Sequence, residues 1–124
     1  MTGGLTIAVK RIHDPVAASD GARFLVDRLW PRGVSKEKAA LTAWLKPLSP
    51  SDGLRKTYHG ATAGSDDVWH AFRTDYFAEL DVGGEEVATA LAILDAAGRA
   101  TLLYAAKYPE RNNAVALRDW LIAR

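Results

Sequence analysis

Short apolar runs alternate with amphipathic stretches along this chain of 124 residues. The three clearest runs are LTIAVKRI at 5–12, FLVDR at 24–28 and ATLLYA at 100–105. They are brief and rich in β-branched or aliphatic residues, which is typical of strands. The consecutive apolar residues that open the second run indicate burial on both faces, as in a parallel sheet. The weaker run LTAWL, at 41–45, predicts one further strand.

The stretches around these runs carry the start signals and the periodicity of helices. Helices are predicted near residues 34–40, 50–59, 66–82, 85–97 and 112–122. Ser35 is expected to cap the first, and Ser49 the second, with Pro50 at its first position and a stop at Gly60. Ser65 is expected to cap the third, whose apolar stripe should face the core. The stripe consists of Trp69, Phe72, Tyr76 and Leu80.

Strands that alternate with helices predict an α/β fold. We expect a single compact domain over residues 1–124, with a mostly parallel β-sheet of about four strands flanked by helices. The strands near 5–12, 23–28 and 100–105 should be adjacent in one sheet. Spacing along the chain leaves the order of the strands open.

Composition and charge narrow the classes of function. The net charge is +1, from 16 basic and 15 acidic residues, which argues against a protein that coats long stretches of DNA. The absence of cysteine excludes disulfides, thiolate nucleophiles and zinc–sulfur sites. The histidines show no ligand spacing and no glycine-rich phosphate loop is present, so we expect neither a metal nor a cofactor.

The distribution of apolar residues also bears on location. The first residues lack a basic segment followed by a long apolar run, which argues against a secretory signal. No apolar stretch approaches the roughly 20 residues that span a bilayer. The expected location is therefore the cytoplasm, with no membrane partner.

Several segments resemble the domain of unknown function 488 family, in its short YeaO-like branch. They are KRIHDP, SDGARFLVDRLWPRG, PSDGLRKTYHG, WHAFRTDYFAEL and TLLYAAKYPERNNAVAL, which together span nearly the whole chain. The resemblance implies a small cytoplasmic bacterial-type α/β domain with no established activity. A related branch carries a Cys-His-Arg cluster after the last strand. This chain has PERNN at 109–113 instead, so no thiol or metal role follows from that branch.

The first candidate site is the corner after the second strand, where Asp27, Arg28, Trp30 and Arg32 surround Pro31. Ligands of parallel α/β sheets bind beyond the carboxyl ends of the strands. The planar fork of arginine suits a phosphate or a carboxylate. The alternative is structural: Trp30 and Pro31 would plug the end of the sheet, and Asp27 would pair with Arg28.

Two further segments contribute candidates. After the last predicted strand, Lys107 and Arg111 add positive charge, and Asn112 or Asn113 is expected to cap a helix whose N–H groups suit an anion. The alternative is a well-capped helix with solvated basic residues. Arg55 and His59 share one helix face, so Arg55 could join the same site. His59 could transfer protons, but the alternative is that it lies at the surface or caps a helix end. Lys10 and Arg11 end the first strand, and alternation allows only one of them to point into a given pocket.

Three hypotheses remain open. The first is the binding of an anionic small ligand, phosphorylated or carboxylated, by Arg28, Arg32, Lys107 and Arg55, with or without catalysis. The second is a nucleic-acid-binding module that uses the same basic residues, with Trp30 and Trp44 stacking on bases. The third is a structural or adaptor role, in which the basic residues pair internally with Asp14, Asp20 and Asp27. The oligomeric state and the identity of a ligand are left undetermined by the sequence.

Overall fold

A parallel sheet of four strands organises the computed structural model, which describes residues 4–58 and 65–124. The strands are β1 (Thr6–Arg11), β2 (Ala22–Leu25), β3 (Ala43–Trp44) and β4 (Arg99–Tyr104). Their order across the sheet is β1-β4-β2-β3, and every pairing is parallel. The α/β fold is confirmed, as is the presence of the three main apolar runs in one sheet. The order shows that β4 lies between β1 and β2.

Helices occupy the predicted regions within the described residues. They are α1 (Lys36–Ala39), α2 (Asp52–Thr57), α3 (Asp66–Val82), α4 (Glu85–Ala96) and α5 (Asn113–Ala123). Short 3₁₀ turns at Ala18–Asp20 and Lys46–Leu48 precede β2 and α2. The side chains of Ser35 and Ser65 cap α1 and α3 as predicted, because each accepts a hydrogen bond from a backbone N–H in the first turn.

The start of α2 differs from the prediction, because Ser51 rather than Ser49 is its N-cap. The Ser51 Oγ accepts a hydrogen bond from the Leu54 N–H at 3.1 Å. The Ser49 hydroxyl instead donates to the Lys46 carbonyl at 2.6 Å and so closes the preceding 3₁₀ turn. The predicted stop at Gly60 lies outside the described residues.

Strand β2 ends at Leu25, three residues before its predicted end. The Val26 N–H still donates to the Leu103 carbonyl at 3.1 Å. Beyond this point, side chains rather than a neighbouring strand bond to the backbone carbonyls. The Asn113 amide donates to the Val26 carbonyl, and the Trp44 indole donates to the Asp27 carbonyl. Asp27 and Arg28 therefore lie in the loop at the carboxyl end of the sheet.

The two faces of the sheet are covered unequally. The larger core lies between one face and helices α2 to α5, and it contains the predicted stripe of Trp69, Phe72, Tyr76 and Leu80, all buried. The burial of that stripe is confirmed. The opposite face has a small cluster of Ile12, Leu25, Ala39 and Leu103, against which Trp30 and Trp44 pack.

A buried ionic cluster closes the amino end of β2. The Asp20 carboxylate accepts hydrogen bonds from Lys10 Nζ at 3.0 Å, from Arg23 Nη1 at 2.5 Å and from the Ala17 N–H at 3.0 Å. Arg23 also donates through Nε and Nη2 to the Ala39 carbonyl. Burial alone would raise the pKa of Asp20, but the Ala17 N–H and the two cations hold it below its ordinary value. Internal pairing thus occurs at Asp20, with Lys10 and Arg23 as the partners.

Candidate functional site

The carboxyl ends of β2 and β4 meet the start of α5 at the side chain of Asp27. Its Oδ2 accepts a hydrogen bond from the Ala105 N–H at 3.0 Å, and its Oδ1 accepts one from Asn113 Nδ2 at 3.0 Å. Asn113 Nδ2 also donates to the Val26 carbonyl at 2.9 Å. Because all four strands are parallel, the loops after β2 and β4 leave from the same edge of the sheet. The structure therefore joins the corner after β2 to the start of α5.

Asp27 is a mostly buried carboxylate whose direct hydrogen-bond donors are neutral. Burial raises its pKa, and the donors on Asn113 and Ala105, together with the charge of Arg55, oppose that rise without cancelling it. The alternative ion pair between Asp27 and Arg28 is wrong. Consecutive side chains of an extended segment point in different directions, and the Arg28 Nε donates instead to the Pro50 carbonyl at 3.0 Å.

Two arginines converge on the exposed carboxylate of Asp52. The Arg55 Nη1 lies 3.3 Å from Asp52 Oδ1, and the Arg28 Nε lies 4.0 Å from the same oxygen. The Asp52 side chain is 63% exposed, against 40% for Arg55 and 30% for Arg28. The arginines come from different elements, since Arg28 follows β2 and Arg55 lies on α2. Their guanidinium groups are thus positioned to bind one oxyanion from two sides.

Arg32 and Lys107 lie on the loops that follow β2 and β4, and both are exposed. Neither makes an ion pair or a side-chain hydrogen bond with the described part of the chain. Of the two basic residues that end β1, Arg11 donates to the Ala106 carbonyl beside Lys107, whereas Lys10 is bound to Asp20. This divergence agrees with the expected alternation along the strand.

Trp30 and Trp44 are held by the fold through both their rings and their indole N–H groups. Trp30 Nε1 donates to the Val34 carbonyl at 2.6 Å, and Trp44 Nε1 donates to the Asp27 carbonyl at 2.7 Å. The two rings contact edge to face at 5.6 Å between centroids. Pro31 is buried next to them. These contacts favour the plug interpretation for Trp30 and Pro31.

The two asparagines at the start of α5 have different partners. The Asn112 side chain is fully buried: its Oδ1 accepts a hydrogen bond from the Val115 N–H, and its Nδ2 donates to the Tyr108 carbonyl. Asn112 is therefore the predicted cap, whereas Asn113 reaches Asp27. His59, the remaining candidate, lies outside the described residues.

Sequence reasoning did not find two residues of this region. Asp52 is not among the predicted site residues, although its spacing of three residues from Arg55 is a signal for contact on a helix face. Tyr76 was expected only as core, but its hydroxyl donates to the Leu48 carbonyl at 2.5 Å. Burial raises the pKa of Tyr76 well above its ordinary value, and the charges of Asp27 and Glu79 act in the same direction. Tyr76 is therefore a neutral hydrogen-bond donor in this region.

The described residues contain neither a cluster of metal ligands nor a membrane-spanning helix. In residues 4–58 and 65–124, no group of three or more metal-ligating side chains lies close enough to hold a metal ion. No helix in that part of the chain has the length and apolar character to cross a membrane.

Comparisons with known proteins give a consistent family relationship. Residues 6–124 match the family described as "Inactive DUF488-N3 subclade". The uncharacterized protein YeaO of Escherichia coli strain K12 is 44% identical over 117 residues, which cover 94% of this chain and 97% of YeaO. The uncharacterized protein Rv3073c of Mycobacterium tuberculosis is 40% identical over 53 residues, which cover 43% of this chain and 45% of that relative. No solved structure gives a significant match.

Proposed function

This chain belongs to the DUF488 family, and we propose that it binds an anionic small molecule, phosphorylated or carboxylated, at the carboxyl edge of its sheet. The observation that carries the proposal is the convergence of Arg28 and Arg55 on the exposed carboxylate of Asp52. Two guanidinium groups from separate elements form a preformed oxyanion site when the protein folds. Planar guanidinium groups bind carboxylates and phosphates through paired, charge-assisted hydrogen bonds.

Asp52 serves in this proposal as an internal stand-in for the ligand. Exposed ion pairs contribute little to stability, so a ligand anion can displace the Asp52 carboxylate at small cost. The arginines are partly buried, which reduces screening of their charge by salt. Because Arg28 is also bound to the Pro50 carbonyl, its position is set before a ligand arrives.

The other predicted site residues form the rim of the proposed site. Arg32 and Lys107 supply positive charge that no described residue neutralises. Asn113 lies at the first turn of α5, where the dipole of the helix favours an anion. Trp30, Asn112 and His59 remain sequence-based predictions in the proposal. Trp30 and Asn112 would contribute by holding neighbouring residues in place rather than by contacting the ligand.

The proposal is one of binding, without a catalytic step. The description of the matching family as an inactive subclade supports this choice. The two carboxylates of this region are both engaged within the described residues: Asp52 by the two arginines, and Asp27 by hydrogen bonds from Asn113 and Ala105. The proposed location is the cytoplasm, as the sequence predicts.

Calorimetry with inorganic phosphate, pyrophosphate and citrate tests the site. Arg55→Ala should weaken binding by about tenfold or more, since a charge-assisted contact is lost. Asp52→Asn should strengthen it, because the competing carboxylate is removed. Lys56→Ala is the matched control, since Lys56 is an exposed cation on the same helix. Equal losses in the Arg55 and Lys56 variants would contradict a specific site and leave only the general field of the basic residues.

A short single-stranded oligonucleotide distinguishes the alternative function. Under the proposal it binds no more tightly than pyrophosphate. Tighter binding with a steep salt dependence would favour the nucleic-acid-binding module instead.

A further inference from the structure

The two edges of the sheet are built differently. At one edge, β3 has only two residues, and the chain leaves it through a 3₁₀ turn that contains Pro47. At the other edge, β1 has six residues. Proteins usually protect an exposed edge by making the strand short, by interrupting it, or by placing charges or proline on it. The β3 edge has such protection, and the β1 edge is long enough to pair with another strand.

The backbone of β1 presents free hydrogen-bonding groups at this edge. The Thr6 and Ile12 N–H groups donate to the carbonyls of Gly98 and Tyr104, each at 2.8 Å. The backbone N–H and C=O groups of successive residues point to opposite sides of a strand. Those of the even-numbered residues therefore point toward β4, and those of Ile7 and Val9 point away from the sheet. No described residue pairs with the N–H and C=O groups of Ile7 and Val9.

The charges that could guard this edge are directed into the fold. Lys10 is bound to the buried Asp20, and Arg11 donates to the Ala106 carbonyl. The middle of the strand is apolar, and Ala8, near its centre, is small and exposed. A second strand can therefore approach the centre of β1 without displacing a charged side chain.

An exposed apolar side chain lies beside the same edge. Ile122 of α5 is 62% exposed, and α5 packs on β1 and β4. Arg124 pairs with Asp95 of α4. Ile122 lies two residues before Arg124, which corresponds to a rotation of about 200° around the helix. Ile122 therefore faces away from α4. Because α4 packs beside Pro47, at the β3 side of the sheet, Ile122 is on the β1 side of α5.

We infer that the β1 edge is the interface with a second copy of this chain, formed by antiparallel pairing of the two β1 strands about a two-fold axis. The strand is self-complementary in this arrangement. Ile7 of each copy lies opposite Val9 of the other, so all the free groups of both residues form hydrogen bonds. Ala8 meets Ala8 at the axis, where its small side chain permits close approach.

Charge and register both favour this pairing. Lys10 of each copy lies opposite Thr6 of the other, so no like charges meet across the strands. In the neighbouring register, with Val9 on the axis, the Arg11 carbonyl would have to accept a second hydrogen bond, because it already accepts one from the Asp14 N–H at 3.0 Å. Closed two-fold dimers are the commonest soluble oligomers, and the pair would form one continuous sheet with Ile122 of each α5 flanking the seam.

Sedimentation equilibrium of the full chain tests the interface. The wild type should be a dimer, and Ala8→Lys should raise the dissociation constant by about tenfold or more, since two like charges would meet at the axis. Ala92→Lys on α4 is the matched control, because Ala92 is also exposed, and it should dimerise as the wild type does. An equal mixture of Ala8→Lys and Ala8→Glu should restore the dimer by pairing opposite charges.

Circular dichroism of each variant checks that the fold is retained, as the exposure of Ala8 predicts. A wild type that stays monomeric at its highest soluble concentration would overturn the inference. So would an Ala8→Lys protein that dimerises as well as the wild type, or a dimer that the charge-swapped mixture fails to restore.

Discussion

Two aspartates flank the short strand β2, and their surroundings are opposite. Asp20, before the strand, is bound by the cations Lys10 and Arg23 and by the Ala17 N–H. Burial alone would raise the pKa of Asp20, but these three donors hold it below its ordinary value. Asp27, after the strand, is bound by neutral donors on Asn113 and Ala105, and burial raises its pKa. One end of the strand neutralises its carboxylate, and the other end retains a carboxylate whose charge the fold stabilises poorly.

Arg28 follows Asp27 in the sequence and the charge of Arg55 acts on it, yet both arginines converge on the exposed Asp52 instead. Cations held at a strand end by an exposed partner remain accessible to a ligand, whereas the cations around Asp20 are enclosed. Perturbed carboxylates occur both in functional sites and in structural ion networks. The comparison therefore assigns stability to the Asp20 cluster and agrees with the binding proposed for the carboxyl edge of the sheet.

The largest expected loss of stability is at the amino end of β2, where Asp20 lies. Asp20→Ala leaves Arg23 buried without its carboxylate, and loss of one partner from a buried pair costs about 3–5 kcal/mol. Urea denaturation measures the free energy of unfolding. Asp14→Ala, an exposed aspartate in the same loop, is the control and should change it by no more than about 0.5 kcal/mol. A loss below about 1 kcal/mol for Asp20→Ala would show that the buried network contributes little.

A smaller loss is expected at the other end of the strand. Asp27→Ala leaves the Ala105 N–H and the Asn113 amide without their acceptor, which costs about 1–3 kcal/mol. The same denaturation experiment applies, with Asp14→Ala again as the control. If Asp27→Ala costs as much as Asp20→Ala, the distinction between a structural and a poorly stabilised carboxylate does not hold.

The smallest expected effect is that the contributions of Asp27 and Asp20 to the free energy of unfolding change in opposite directions with pH. The folded protein binds a proton at Asp27 more tightly than the unfolded chain does, so this group's contribution to stability is lost as the pH rises through its raised pKa. The contribution of Asp20 has the other sign and is lost as the pH falls through its lowered pKa. We expect wild-type stability relative to Asp27→Asn to decrease with rising pH, and relative to Asp20→Asn to increase.

Urea unfolding across the acid range, between about pH 3 and pH 7, measures both differences. Subtracting the free energy of unfolding of each variant from that of the wild type removes the contributions of the other carboxyl groups. Parallel slopes for the two variants would mean that the two environments are electrostatically alike.

Local signals in the sequence predicted much of the fold, because caps and apolar runs act over a few residues. The caps Ser35 and Ser65 and the buried stripe of α3 are examples. The cap of α2 was misplaced because two serines compete, and the choice depends on the Lys46 carbonyl, which takes the Ser49 hydroxyl.

Contacts between distant segments were harder to predict. Arg23 looked like one more residue at the start of a strand, yet it donates to Ala39 across 16 positions of sequence. The meeting of Asp27 and Asn113 spans 86 positions and depends on β4 lying beside β2. The sequence could place both residues at strand ends, but only the strand order brings them together.

The central position of β4 also has a consequence for the order in which the fold can be built. Both β1 and β2 pair with β4, which comes after four of the five helices along the described chain. During synthesis, β1 has no strand to pair with until the ribosome has added residues 99–104, and β2 has only the two residues of β3. Parallel pairings of such long sequence separation form slowly. Nascent chains that stop before β4 therefore expose β1 without a partner strand and β2 with only the short β3 beside it, which makes them targets for chaperones and for aggregation.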